Sequence, residues 1–140
     1  MIKKIEYTSK IIAERINPDS SMALISIRDR GYETLLKDGW DNLLILEFDD
    51  IESDFFENHP FVGNLLNYVL FSEKDAENII DFVENLPEKV ETLYVHCFLG
   101  KSRSPAVVKA ICEKIGLNFK ESENIKPNNF VYETLKNKWK

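Results

Sequence analysis

An α/β fold, with a central, mostly parallel sheet of four or five strands flanked by helices, is the class this chain predicts, and three observations predict it. Strand-like and helix-like runs alternate along the chain, which a parallel sheet requires because each strand must return through a crossover. The runs Met22 to Ile27, Asn42 to Phe48 and Val90 to Val95 are almost continuously apolar, as strands covered on both faces are. The last of these leads into a glycine-containing loop and then a helical pattern from Pro105, a residue suited to a helix's first turn.

The elements follow in order. A short opening strand precedes a helix that Thr8 or Ser9 can cap and that Asn17-Pro18-Asp19 ends. After the strand at Met22, Gly31 to Lys37 is expected as a short helix, with Asp38-Gly39 as a turn before the strand at Asn42. Ser72 and Asp75 have the spacing of a capping pair, Ala76, Ile79, Ile80, Val83 and Leu86 recur on one helical face, and Pro87 closes that helix. Val107, Val108, Ile111 and Ile115 form the buried side of the next helix, which Gly116 ends. Asn128 or Asn129 caps a last helix carrying Phe130, Val131 and Leu135.

The 140 residues suit one domain, 1–140, and no linker, repeat or low-complexity tract divides them. At 44% hydrophobic and 30% charged, the composition is that of a globular protein. No apolar stretch has membrane-spanning length and Met1-Ile2-Lys3-Lys4 lacks the apolar core of a signal peptide, so a cytoplasmic monomer without a membrane partner is expected. Cys97 and Cys112 read as thiols in that setting, Cys112 as a small core side chain. The net charge of −6 is uneven, with −11 over residues 1–96 and +5 over residues 97–140. An acidic whole argues against nucleic acid as a partner. Two histidines and no cysteine pair at ligand spacing argue against a metal, and no cofactor is expected.

Residues 96 to 104, His-Cys-Phe-Leu-Gly-Lys-Ser-Arg-Ser, are the most informative segment. Cys97 and Arg103 are close enough in sequence for the loop to curl, so that the backbone N–H groups of Phe98, Leu99, Gly100, Lys101 and Ser102 converge on one oxyanion. The following helix adds positive potential at its N-terminus, and the planar fork of Arg103 suits two oxygens of a tetrahedral anion. That field favours a thiolate at Cys97, and a nucleophile beside a phosphate cradle points to covalent phosphoryl transfer.

With His96, Cys97, Gly100, Arg103 and Ser104 in place, the segment resembles the signature of the cysteine-dependent protein-tyrosine and dual-specificity phosphatases. Weaker similarity in pattern runs from about Met22 to the end of the chain, including Pro127, Asn128 and Phe130 at the entry to the final helix. The resemblance implies a phosphatase-type sheet with the anion loop between the last core strand and a helix. It implies that Cys97 attacks phosphorus, that Arg103 and the loop amides hold the phosphoryl oxygens, that Ser104 helps the thiolate leave, and that His96 shapes the loop. It also implies an aspartic general acid on another loop, and a phosphorylated protein or peptide as substrate.

No aspartate follows Cys97, so the acid must lie upstream. Asp49 and Asp50 directly end a predicted buried strand, where parallel sheets gather functional groups, and the resemblance favours Asp50 over Asp49, with Asp54 third. The stretch between Asp50 and Cys97 is longer than the resemblance implies. Its excess, Ile51 to Phe71, carries Phe55, Phe56, His59, Pro60, Phe61 and Tyr68, and reads either as a flap over the substrate or as a cluster covering the sheet edge. Arg28-Asp29-Arg30 follows a strand and can line the cleft, with a surface turn as the preferred reading, and Lys101 reads as a rim lysine, with a second anionic group on a lipid substrate as the alternative.

Three other functions compete. A nucleotide-binding P-loop, suggested by Gly100-Lys101-Ser102, fails because its earlier glycine would fall on Val95. A sulfurtransferase would share the loop cysteine but not the Arg103-Ser104 ending or the upstream acid. A noncatalytic phospho-residue reader on the same scaffold typically lacks the nucleophile, the arginine or the acid, and this chain retains all three; a lipid or RNA phosphatase is the same hydrolase with another substrate.

Overall fold

The computed structural model describes residues 1–52 and 68–140. Its elements are β1 (Lys4–Ser9), α1 (Lys10–Arg15), β2 (Met22–Arg28), β3 (Leu43–Glu47), α2 (Glu73–Glu84), β4 (Thr92–Cys97), α3 (Arg103–Ile115) and α4 (Asn129–Lys138). The four strands form one sheet in the order β1-β4-β2-β3, every neighbouring pair parallel. The expected α/β class and strand number therefore hold. No helix among the described residues is long and apolar enough to cross a membrane.

Side-chain alternation sorts the sheet's two faces. Ala23, Ile25 and Ile27 of β2, with Leu93 and Val95 of β4, are buried in the main core, which Ala76, Ile79, Val107, Ile111, Val131 and Leu135 of α2, α3 and α4 complete. α3 packs on β4 and β1, and α2 on β3 and α4. The other face takes α1, which contacts β1 and β4, and Trp40, whose ring stands edge-on to Tyr94.

The helix ends obey local chemistry. Ser9 caps α1 by accepting from the Ile12 amide, and Ser72 and Asp75 form a full capping box at α2, each side chain accepting from the other's backbone N–H. Gly116 closes α3 in the left-handed region, and Asn128 caps α4 by accepting from the Val131 amide. Two expectations are corrected. Residues 31–37 form no helix: Gly31 has φ +85°, and Tyr32 and Leu35 remain exposed, so no apolar face exists to be buried. β4 starts at Thr92 rather than Val90, because the Val90 amide is spent on the Pro87 carbonyl; it ends on Cys97, making that residue part of the strand.

Three chain segments converge at the carboxyl edge of this sheet: Cys97 at the end of β4, Asp29 after β2, and Phe48 to Asp50 after β3. That edge is where a parallel sheet gathers its functional groups.

Candidate active site

Cys97 lies at the floor of a cleft of about 220 Å³ lined by Asp29, Asp50, Phe98, Leu99, Lys101, Ser102 and Arg103. The residue is only 2% exposed. Sγ lies 3.2 Å from the Gly100 amide, which donates to it, and 3.1 Å from Ser104 Oγ, itself fully buried. Both partners can give hydrogen bonds to a sulfur bearing negative charge.

Three carbonyls of the loop are drawn outward, to partners outside it. The Phe98 carbonyl accepts from the Lys10 amide, that of Lys101 from the Lys126 amide, and that of Ser102 from the amides of Asn128 and Ala106. In a trans peptide the N–H points opposite the C=O, so these contacts turn the amides of Leu99, Ser102 and Arg103 toward the cleft. Gly100 makes the turn possible. It has φ +73°, and a Cβ there would stand 2.7 Å from the Thr8 carbonyl carbon and 2.8 Å from the Ser9 nitrogen, both backbone atoms.

Arg103 is buried, and its Nη1 donates to Asp29 Oδ1 at 2.6 Å and to the Phe48 carbonyl at 2.9 Å. Those two bonds use both hydrogens of Nη1, leaving Nη2 and Nε to be offered to an anion. Asp29 follows the cleft-lining alternative rather than the preferred surface turn: it lines the cleft and pairs with Arg103. Asp29 directly follows β2, as Asp49 and Asp50 follow β3 after Phe48.

The two acid candidates separate by partner. Asp49 Oδ2 accepts from the Val69 amide at 2.7 Å, while its own amide donates to the Val69 carbonyl, so it clamps the two chain segments together. Asp50 lines the cleft, its Oδ1 accepting from Ser102 Oγ at 2.8 Å and from Asn128 Nδ2 at 2.7 Å. Both of these bonds fall on one oxygen, and among the described residues Oδ2 has no hydrogen-bond partner. Asn128 also donates to the Ile51 carbonyl, and Glu52 accepts from the first two amides of α4, so the segment after Asp50 is fastened to that helix's N-terminus. Asp54, Phe55, Phe56, His59, Pro60 and Phe61 lie outside the described residues.

His96 faces away from the cleft and is 1% exposed. Its Nδ1 lies 3.2 Å from the Cys97 carbonyl oxygen and its Nε2 2.6 Å from Ser26 Oγ. Burial lowers its pKa, against the opposing pull of the bond to Cys97. Lys101 is exposed at the rim beside Phe98 and Leu99, and the Tyr32 ring meets that of Phe98 edge-on at 6.5 Å. Cys112 is buried in α3 as a free thiol, and burial pushes its pKa up.

No protein-family model matches the chain, and no curated protein does. Among solved structures it is similar to the crystal structure of human tyrosine phosphatase-like serine/threonine/tyrosine-interacting protein. The identity is 18%, the match covers 84% of this chain and 76% of that one, and the TM-score is 0.41.

Proposed function

We propose that the protein is a metal-independent phosphomonoester hydrolase that works through a cysteinyl-phosphate, with a phosphorylated protein or peptide as substrate. The reading rests on one observation: a nucleophilic sulfur, a buried guanidinium and a carboxyl group line a single small cleft beneath inward-turned amides. A tetrahedral dianion is the ligand those groups fit together.

In the first step the Cys97 thiolate attacks phosphorus in line. The bond from phosphorus to the ester oxygen breaks, and that oxygen takes the proton held on Asp50 Oδ2. In the second step a water attacks the same phosphorus and gives its proton to the Asp50 carboxylate. The sulfur–phosphorus bond breaks and inorganic phosphate leaves. Ser104 Oγ, in contact with Sγ, stabilises the departing thiolate by donating to it. The Nη2 and Nε hydrogens of Arg103 and the loop amides hold the equatorial oxygens through both steps. Phe98, Leu99 and Tyr32 give the cleft an apolar rim, which suits the side chain of a phosphorylated residue better than a small polar alcohol.

Hydrolysis of para-nitrophenyl phosphate in excess chelator tests this reading. Turnover is expected, and Cys97→Ser is expected to abolish it. Activity that requires a divalent metal and survives Cys97→Ser would reject the mechanism. Tight binding of phosphopeptide without turnover would replace it with a phospho-residue reader.

A further inference from the structure

Behind the thiol, on the sheet face that carries α1, lies a buried polar chain that the chemistry above leaves unassigned. Ser26 and His96 are partners in the β2–β4 register, and both are buried. Ser26 Oγ stands 2.6 Å from His96 Nε2, Arg28 Nε donates to the same Oγ at 3.1 Å, and His96 Nδ1 stands 3.2 Å from the Cys97 carbonyl oxygen.

The donor inventory gives this chain a direction. A carbonyl oxygen only accepts, so His96 Nδ1 carries a hydrogen. Arginine Nε–H only donates, so it takes a lone pair of Ser26 Oγ and leaves the serine's own hydrogen for Nε2, the acceptor nitrogen of a neutral imidazole. Every group from Arg28 to the Cys97 carbonyl is then matched. The reverse sense needs a hydrogen on Nε2 as well, hence a buried imidazolium. The charged groups facing the ring are Arg28 from β2 and Lys10 and Glu14 from α1, two cations against one carboxylate, which oppose that charge.

We propose that Ser26, oriented by Arg28, is a positioning residue that fixes His96 as the neutral Nδ1–H tautomer and thereby clamps the carbonyl of Cys97. The clamp holds the Cys97 peptide as the last of β4, so that Sγ enters the cleft within reach of the Gly100 amide. The catalytic consequence rests on the phosphatase reading; the tautomer does not.

The experiment uses the full chain labelled with 15N at histidine, with long-range 1H–15N correlation spectra recorded across pH for wild type, Ser26→Ala, Ser26→Thr and Arg28→Met. Iodoacetamide alkylation of Cys97, followed by mass spectrometry, and para-nitrophenyl phosphate kinetics accompany them. Wild type is expected to show the single Nδ1–H tautomer for His96. Ser26→Ala is expected to show a mixture, a changed rate of Cys97 alkylation and a fall in kcat of about three- to tenfold, the loss of one net hydrogen bond, with KM unchanged. Ser26→Thr, which keeps the hydroxyl, restores all three. Arg28→Met, at a half-buried site, moves the tautomer ratio in the same sense and provides a second variant should Ser26→Ala fail to fold. An Nε2–H tautomer in wild type, or an unchanged tautomer and alkylation profile in Ser26→Ala and Arg28→Met, overturns the proposal. The expected tautomers and alkylation shifts without turnover by wild type would keep the clamp and reject the phosphatase.

Discussion

Asp29 and Arg103 stand 74 residues apart in sequence and meet at 2.6 Å at the base of the cleft. The arginine is buried, and among the described residues the only other Nη1 partner is the Phe48 carbonyl, so Asp29 sets the rotation of the guanidinium. Asp29→Asn keeps the shape and removes the charge. Two effects then compete: the cleft gains net positive charge, which favours ground-state anion binding, and the arginine loses a charge-assisted bond worth about 1.5–3 kcal/mol. The bond orients donors toward the transition state, so kcat is expected to fall about ten- to a hundredfold while KM changes less. Steady-state kinetics on an aryl phosphate decide it, and a raised KM with unchanged kcat would remove Asp29 from this role.

Gly100 is fixed by space as well as by torsion. Alanine there would combine a positive φ, costing about 1–3 kcal/mol, with a Cβ inside contact distance of the Thr8 and Ser9 backbone. Strand β1 cannot retreat cheaply, since it is paired with β4 along its whole length, so the loop must shift instead. Gly100→Ala is expected to lower Tm and to lose vanadate inhibition. Full retention of vanadate affinity would show that the loop amides do not form the anion cradle.

The legible part of this site was the part whose geometry is local. Cys97, Gly100, Arg103 and Ser104 lie within one strand–loop–helix step, and the loop's shape follows from their spacing. The rule that functional groups gather at the carboxyl ends of parallel strands leads to Asp49 and Asp50, and the choice of Asp50 between them comes from the resemblance. The same rule applied to β2 leads to Asp29, but three charged residues in a row look like solvated surface. Ser26 left only a faint trace, one hydroxyl inside an otherwise apolar strand, and its meaning depends on the β2–β4 register, which no single strand encodes. The helix expected over 31–37 failed for the complementary reason: local propensity had no apolar face to back it, and Gly31 took the left-handed region.

His96 gives stability a pH dependence whose direction is fixed. Burial sets its pKa below the ordinary 6.5, so below that pH the unfolded chain takes up a proton that the folded chain refuses. The contribution is therefore fully present above about pH 6.5 and is lost as the pH falls toward the folded-state value. Denaturant unfolding of wild type and His96→Asn across this range isolates the effect, because His59 is common to both chains. The stability difference is expected to be flat at neutral pH and to shrink toward acid. A difference that grows toward acid would mean that the fold holds His96 charged.

Asp50 and Asn128 together test the acid. Asp50→Asn preserves size and removes the transferable proton, so the loss should scale with how badly the leaving oxygen needs it: small for para-nitrophenol, about 10²–10⁴-fold in kcat for leaving groups of high pKa. Asn128→Ser retains a capping oxygen for the Val131 amide but gives up the bond to Asp50 Oδ1, so the same leaving-group signature is expected in milder form with the helix cap intact. Asp49→Asn weakens the clamp to Val69 and should cost about 1–2 kcal/mol of stability without changing the leaving-group dependence. A series of aryl and alkyl phosphates measured on all three variants separates the roles. Equal losses on every leaving group in Asp50→Asn would make Asp50 a structural acceptor for Ser102 and Asn128 and would send the search for the proton elsewhere.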